Sequence, residues 1–203
     1  MSDIHKYREL ALSLGANHAM AATPDEIVFD GRTLIKCMFG CADWGYGCTC
    51  PSREGFLKPW EWEKLLRQYK TVLIIRAHDK RAAQKASYAV EREAFLDGDA
   101  LAFSMSDCAL CESCAGRDRL PCRNSRMARP AFHSVGIDVF STARKLGLPI
   151  KTLRSDDEEQ NWYAAVWLND AENTDSFRTD HLVGIIPHDV DEDEAKAERL
   201  ARQ

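Results

Sequence analysis

The amino-acid sequence predicts an α/β fold: a mixed, partly parallel sheet flanked by helices, with two irregular cysteine-rich metal-binding loops. Three observations point to it. Short apolar runs alternate with stretches whose apolar residues recur at three- and four-residue spacing. One strand–helix–strand unit occupies 71–104, and the eight cysteines fall in two groups, the first of them punctuated by glycine.

A first helix runs from about Asp3, an N-cap residue, to Leu14, with Ile4, Tyr7, Leu10, Ala11 and Leu14 as its apolar face and Gly15 ending it. Residues 17–22 and 26–35 read as strands. The stretch 37–50 reads as irregular, because Gly40, Gly45, Gly47 and Pro51 interrupt it. A second helix opens near Pro59, a good first-turn residue, with Trp62, Leu65, Leu66 and Tyr69 on one face. Thr71–Ala77 (TVLIIRA) reads as a buried strand. A longer helix over 81–96 places Ala83, Ala86, Val90 and Ala94 on one side, and Gly98 stops it before a short strand at Ala100–Ser104. That unit predicts a parallel pair joined by a right-handed crossover. After the second cysteine stretch come a helix at 138–146 capped by Gly147 and strands at Pro149–Leu153 and Trp162–Leu168. The acidic turn SDDEEQ at 155–160 separates those strands and suggests an antiparallel pair.

The 203 residues, 45% hydrophobic and 29% charged, match one globular domain, 1–203, with cysteine-rich loops at 37–52 and 108–123. The longest apolar runs, VLII at 72–75 and LVGII at 182–186, are too short to span a bilayer, and the opening MSDIHKYREL lacks the pattern of a signal peptide. The expected setting is therefore cytoplasmic, away from membranes. Net charge is −5, and residues 188–203 hold six acids against three bases, so the rest is only −2. Bulk charge points to no polyanion partner, and the acidic C-terminal tail at 188–203 reads as a solvated helix end or frayed terminus. No phosphate-binding glycine loop and no G-x-S-x-G elbow is present, which removes nucleotide binding and serine hydrolysis.

Eight cysteines in a domain this size are too few for a disulfide scaffold, and a reducing compartment makes them metal ligands or catalytic thiols. The second set is Cys108-x2-Cys111-x2-Cys114, with Cys122 after seven intervening residues. Thiolates at i, i+3 and i+6 wrap a short loop so that each takes a different iron of a cubane, as in the bacterial ferredoxin run, with a longer gap before the fourth. Four-cysteine zinc sites are usually two C-x2-C knuckles across a longer loop, so zinc is the weaker match. The first set is Cys37-x3-Cys41-x6-Cys48-x-Cys50, followed by Pro51. It matches no template, and its readings are a second metal site, buried structural thiols, or cysteines from both stretches combining in shared clusters.

Arg117, Arg119, Arg123, Arg126 and Arg129 surround Cys122. They are placed to neutralise a cubane, bind an anion or dock an acidic partner, and ion pairs within the loop account for them equally well. Nucleic acid is not expected, since no aromatic stacking motif accompanies them. His133 and His78 read as paired surface histidines before they read as ligands. Glu91 and Glu93 lie on a helix and read as solvated. Trp44, Trp60 and Trp62 either line a pocket or shield a cluster.

The chain resembles a family of small cysteine-rich prokaryotic proteins described only as predicted metal-binding proteins of unknown function. The resemblance rests on Cys37, Cys41 and Cys50-Pro51, on E-R-E-A-F at 91–95, on Cys108, Cys111, Cys114 and Cys122-Arg123, and on Gly136-Ile137-Asp138-Val139 through Gly147. The family pattern usually ends its first motif in Cys-Pro-Pro, where this chain has Ser52, and usually lacks a cysteine at the position of Cys48. The resemblance implies metal, iron–sulfur in kind, and an anaerobic or redox setting. With Cys37, Cys41 and Cys50 as the family ligands, the first site is a three-cysteine cluster with an open iron, unless Cys48 closes it.

These residues predict an iron–sulfur protein with one [4Fe–4S] cluster on Cys108, Cys111, Cys114 and Cys122. A second is expected on Cys37, Cys41 and Cys50, with or without Cys48. Electron transfer to a redox partner protein, or a cluster-based reduction of a small-molecule substrate, is the expected role. The alternatives are a Zn2+-binding structural or regulatory module and a cluster enzyme of the lyase or desulfurase kind with an open iron at the first site. Whether the chain is itself an enzyme stays open, as does its oligomeric state.

Overall fold

The computed structural model describes residues 3–155 and 157–169, so the acidic tail predicted at 188–203 lies outside the described residues. Helix α1 (Ile4–Ser13) begins at Asp3, whose carboxylate accepts the Lys6 N–H at 3.1 Å. Strand β1 (His18–Ala22), helices α2 (Thr33–Gly40) and α3 (Pro59–Leu66), strand β2 (Thr71–Ala77) and helix α4 (Lys80–Leu96) follow. Strand β3 (Phe103–Met105), helix α5 (Val139–Lys145) and strand β4 (Trp162–Leu168) complete the order. Among the described residues no helix is long and apolar enough to cross a membrane.

The four strands form one sheet in the order β1-β2-β4-β3, and every neighbouring pair is antiparallel. The predicted partly parallel sheet is thus corrected. β2 and β3 run in the same direction, as a strand–helix–strand unit requires, but β4 lies between them and pairs with each in the opposite sense. The run WYAAVWL makes this favourable: residues 163–168 are all buried, so the strand needs apolar cover on both faces and a partner on both edges. Local periodicity identifies such a strand without saying which neighbours it takes.

Two further predicted strands are absent. Residues 26–35 hold the end of a single 3-10 turn (Pro24–Glu26), a lone bridge from Phe29 to Ile137, and the start of α2. The Glu26 carboxylate accepts the Thr23 N–H at 2.7 Å, a local bond that favours a turn over an extended chain. Pro149–Leu153 makes no ladder; its tie to β4 is the Tyr163 hydroxyl donating to the Pro149 carbonyl at 2.6 Å.

The period-2 alternation of β2 and β4 divides the core. Leu73, Ile75, Ala164, Val166 and Leu168 face α1 and α4, where Tyr7, Ala11, Ala83, Ala86 and Val90 are buried. Val72, Ile74, Ala165 and Trp167 face the other way, onto Leu66, Ala143, Phe132 and Ile137. On that side the 3-10 turn Phe132–Val135 ends in Gly136, whose φ of +92° and contact with Pro59 leave no room for a side chain: a Cβ there would stand 2.6 Å from the Pro59 Cβ.

Glu91 of α4 is not a solvated helix carboxylate. It accepts the Ser104 N–H at 2.7 Å and hydroxyl at 2.5 Å, and it pairs with the Arg129 guanidinium, whose Nε lies 2.8 Å away. Arg129 also lies over the Tyr88 and Phe103 rings. The Ser106 N–H meanwhile donates to the Pro130 carbonyl at 3.1 Å. Both ends of the second cysteine stretch are thereby held against α4 and β3. Replacing Arg129 with Ala strands a largely buried carboxylate, so Arg129→Ala should lose about 3–5 kcal/mol in urea denaturation, whereas the paired change of Glu91 to Gln and Arg129 to Leu should recover much of it.

Candidate metal centre

The first cysteine stretch is less irregular than its glycines suggest. Helix α2 carries Cys37 in its interior, buried, and the Cys41 N–H caps it by donating to the Cys37 carbonyl at 3.2 Å. Successive tight turns follow: Trp44 N–H to Cys41 O, Gly47 N–H to Asp43 O and Cys50 N–H to Gly47 O, at 3.0–3.1 Å. They fold Cys41, Cys48 and Cys50 back over the end of the helix. The Cys50 sulfur lies 3.0 Å from the Ser52 hydroxyl, the residue at the position of the second family proline.

The second stretch leaves β3 through Ser106 and Asp107. Gln84, buried on α4, accepts the Ala109 N–H at 2.6 Å, and the Asn124 side-chain amide donates to the Cys111 sulfur at 3.0 Å. Cys114 precedes a 3-10 turn, Ala115–Asp118, which ends at Arg119 in the left-handed conformation (φ 59°).

All eight cysteines line one cavity of about 250 Å³, and none is in a disulfide. About 15 Å³ suffices for one water molecule, so the space exceeds the needs of a single ion. The two stretches touch directly. A Cβ on Gly116 would stand 1.9 Å from the Tyr46 carbonyl oxygen, so only glycine permits this approach. Beside that contact the Cys48 and Cys114 sulfurs are 3.8 Å apart, and Cys122 is within hydrogen-bonding reach of Cys48. Cys37 instead has Cys41, Cys50 and Asp107 as its charged neighbours. Among the described residues no three His, Cys, Asp or Glu side chains converge tightly enough to hold one ion as they stand.

The thiols differ in acidity. Burial, reinforced by Cys41, pushes Cys37 up to about 11, and burial with the neighbouring Cys114 pushes Cys48 up to about 11. Burial opposes ionisation of Cys114 too, but the Cys48 and Gly116 N–H groups donate to its sulfur and bring it below the ordinary thiol value. A set of eight unpaired thiols around one space, with amide donors already aimed at two of the sulfurs, fits a metal group held by cysteine.

The remaining predicted residues divide. Arg117 pairs with Asp43 across the two stretches, Arg129 with Glu91, and Arg123 lines the cavity, while Arg119 and Arg126 are exposed. His133 and Trp44 line the cavity. His78 lies at Gln160 and Glu159, Glu93 pairs with Lys6, Trp60 is exposed, and Trp62 packs on Phe56 and Phe103. Sequence reasoning missed Asp107, Asn124 and Trp162. The first two flank the cysteines and were legible by position; Trp162, brought in by β4, was not. A second cavity of about 270 Å³ shares Asp107, His133 and Trp162 with the first.

The sequence model of a family described as "Predicted metal-binding protein (DUF2284)" matches residues 21–168, more than half of the chain. No curated protein and no solved structure matches it.

Two outcomes follow from this geometry. Gly116→Ala must push the stretches apart at Tyr46, and the purified variant should lose most of its bound metal by elemental analysis while its far-ultraviolet circular dichroism stays that of the parent. In protein stripped of metal and treated with iodoacetamide at pH 8, Cys114 should be alkylated first and Cys37 and Cys48 last, as read by peptide mass mapping, because raised thiol values leave less thiolate at that pH.

Proposed function

The chain belongs to the DUF2284 family of predicted metal-binding proteins, and from that membership and its converging thiols we propose that it is an iron–sulfur protein. On this reading it holds one or two [4Fe–4S] clusters and works in electron transfer or in a cluster-based reduction. The observation that carries the reading is eight unpaired cysteines around one cavity. A single zinc ion uses four thiolates at most. Eight thiols are the full ligand set of two four-cysteine clusters. The spacing Cys108-x2-Cys111-x2-Cys114 supports the same conclusion.

Cys108, Cys111, Cys114 and Cys122 would hold one cluster, and Cys37, Cys41 and Cys50, with or without Cys48, the other. Such a cluster supplies one-electron redox chemistry when bound. The chain's own part is to tune and shield it. Amide donors from Cys48 and Gly116 to Cys114, and from Asn124 to Cys111, favour the more negative reduced state and so raise its potential. Buried Cys37 and the wall of Trp44 and Trp162 exclude water, while exposed Cys41 and Cys108 mark the edge where a redox partner or small molecule would approach.

One observation favours a second reading. The 3.8 Å between the Cys48 and Cys114 sulfurs is the separation of two thiolates on one tetrahedral ion with bonds of about 2.3 Å, and a zinc-held scaffold would use it.

Protein purified without oxygen should contain iron and acid-labile sulfide in equal amounts, about four or eight of each per chain, with a broad absorption band near 400 nm. Cys111→Ser should remove about four irons. Zinc without sulfide, or full iron retention in the variant, would overturn the assignment.

A further inference from the structure

We propose that Cys48, although it stands in the first cysteine stretch, is a ligand of the metal centre of the second, beside Cys114 and Cys122. This rests on the reading above that the thiols hold metal, and it holds for either metal. The Cys48 sulfur is 3.8 Å from that of Cys114 and within hydrogen-bonding reach of Cys122, and the Cys48 N–H donates to the Cys114 sulfur. The Gly116–Tyr46 contact pins the 46–48 segment to the 114–116 turn, so this placement follows from backbone docking and not from one rotamer. Cys37, in contrast, is grouped with Cys41 and Cys50.

The eight thiols then divide by space and not by stretch. Cys37, Cys41 and Cys50 form one group, and Cys48 joins Cys114 and Cys122 in the other. A run of cysteines that serves two clusters is the arrangement of two-cluster ferredoxins. Here the crossing point is Cys48-Thr49-Cys50, where two cysteines separated by one residue serve different centres. The two centres are thereby joined through three residues, a short path for an electron passing between them.

Thiol footprinting of the full, metal-loaded chain tests the division. In the parent all eight cysteines should resist iodoacetamide. In Cys114→Ser, Cys48 and Cys122 should each lose protection and take up one label per chain, while Cys37 and Cys50 stay protected. In Cys41→Ser the pattern should reverse, with Cys37 and Cys50 labelled and Cys48 protected. Labelling of Cys48 in Cys41→Ser but not in Cys114→Ser would overturn the proposal, as would labelling of Cys48 in both or in neither. Should either variant misfold, Cys48→Ser serves in its place: iron should fall with Cys122 deprotected and Cys37 still protected, and deprotection of Cys37 instead would overturn the assignment. A parent labelled at all eight positions after anaerobic purification would instead sink the metal reading itself. Zinc in place of iron would sink the cluster and leave the division of ligands standing.

Discussion

The placement of β4 between β2 and β3 is the constraint on which the rest of the molecule depends. A strand–helix–strand unit with its two strands one position apart leaves a slot, and the apolar run at 162–168 fills it with hydrogen bonds on both edges. This brings Trp162, at the start of β4, to the same end of the sheet as the last residues of β2 and β3 and the first turn of α4. The cysteine cavity is built there, and Lys80 and Trp162, which line it, come from elements that have no cysteine of their own.

Much of the local structure was legible. Tyr7 and Ala11, at helical spacing behind the Asp3 cap, are buried in α1, and β2 and β4 have the bounds their apolar runs suggest. Pairing was not legible, because strand partners are chosen by contacts far apart in the chain. A buried strand with antiparallel neighbours reads the same as one in a parallel sheet when both its faces are covered. Pro149–Leu153 failed for a related reason: strand-like residues do not make a strand without an edge to pair with, and β4 already has two partners. Residues 33–40 were hidden by the nearby glycines, of which Gly40 is the last residue of α2 and Gly45 and Gly47 lie beyond its Cys41 cap.

The site divides along the same line. Which residues are the candidates for the chemistry was plain from eight cysteines and their spacing. Which of them stand together was not, because the approach of the two stretches rests on Gly116, a residue whose contribution is the side chain it lacks. The arginines near Cys122 also resolve only in space. Two are joined to carboxylates, Arg117 to Asp43 and Arg129 to Glu91, and they brace the loops against each other and against the sheet. Their charge is taken up in those pairs, and of the five it is Arg123 that lines the cysteine cavity.

The meeting of Cys48 with Cys114 also has a dimension in time. The two are separated by 66 residues. At a synthesis rate of about 5–20 residues per second, Cys48 leaves the ribosome on the order of 3–13 seconds before its companion. Throughout that interval it is a reduced thiol on a nascent chain without the turn that will enclose it. The first stretch therefore cannot reach its final surroundings alone: the turn at 114–116 must be made and docked against residues 46–48 before Cys48 is enclosed.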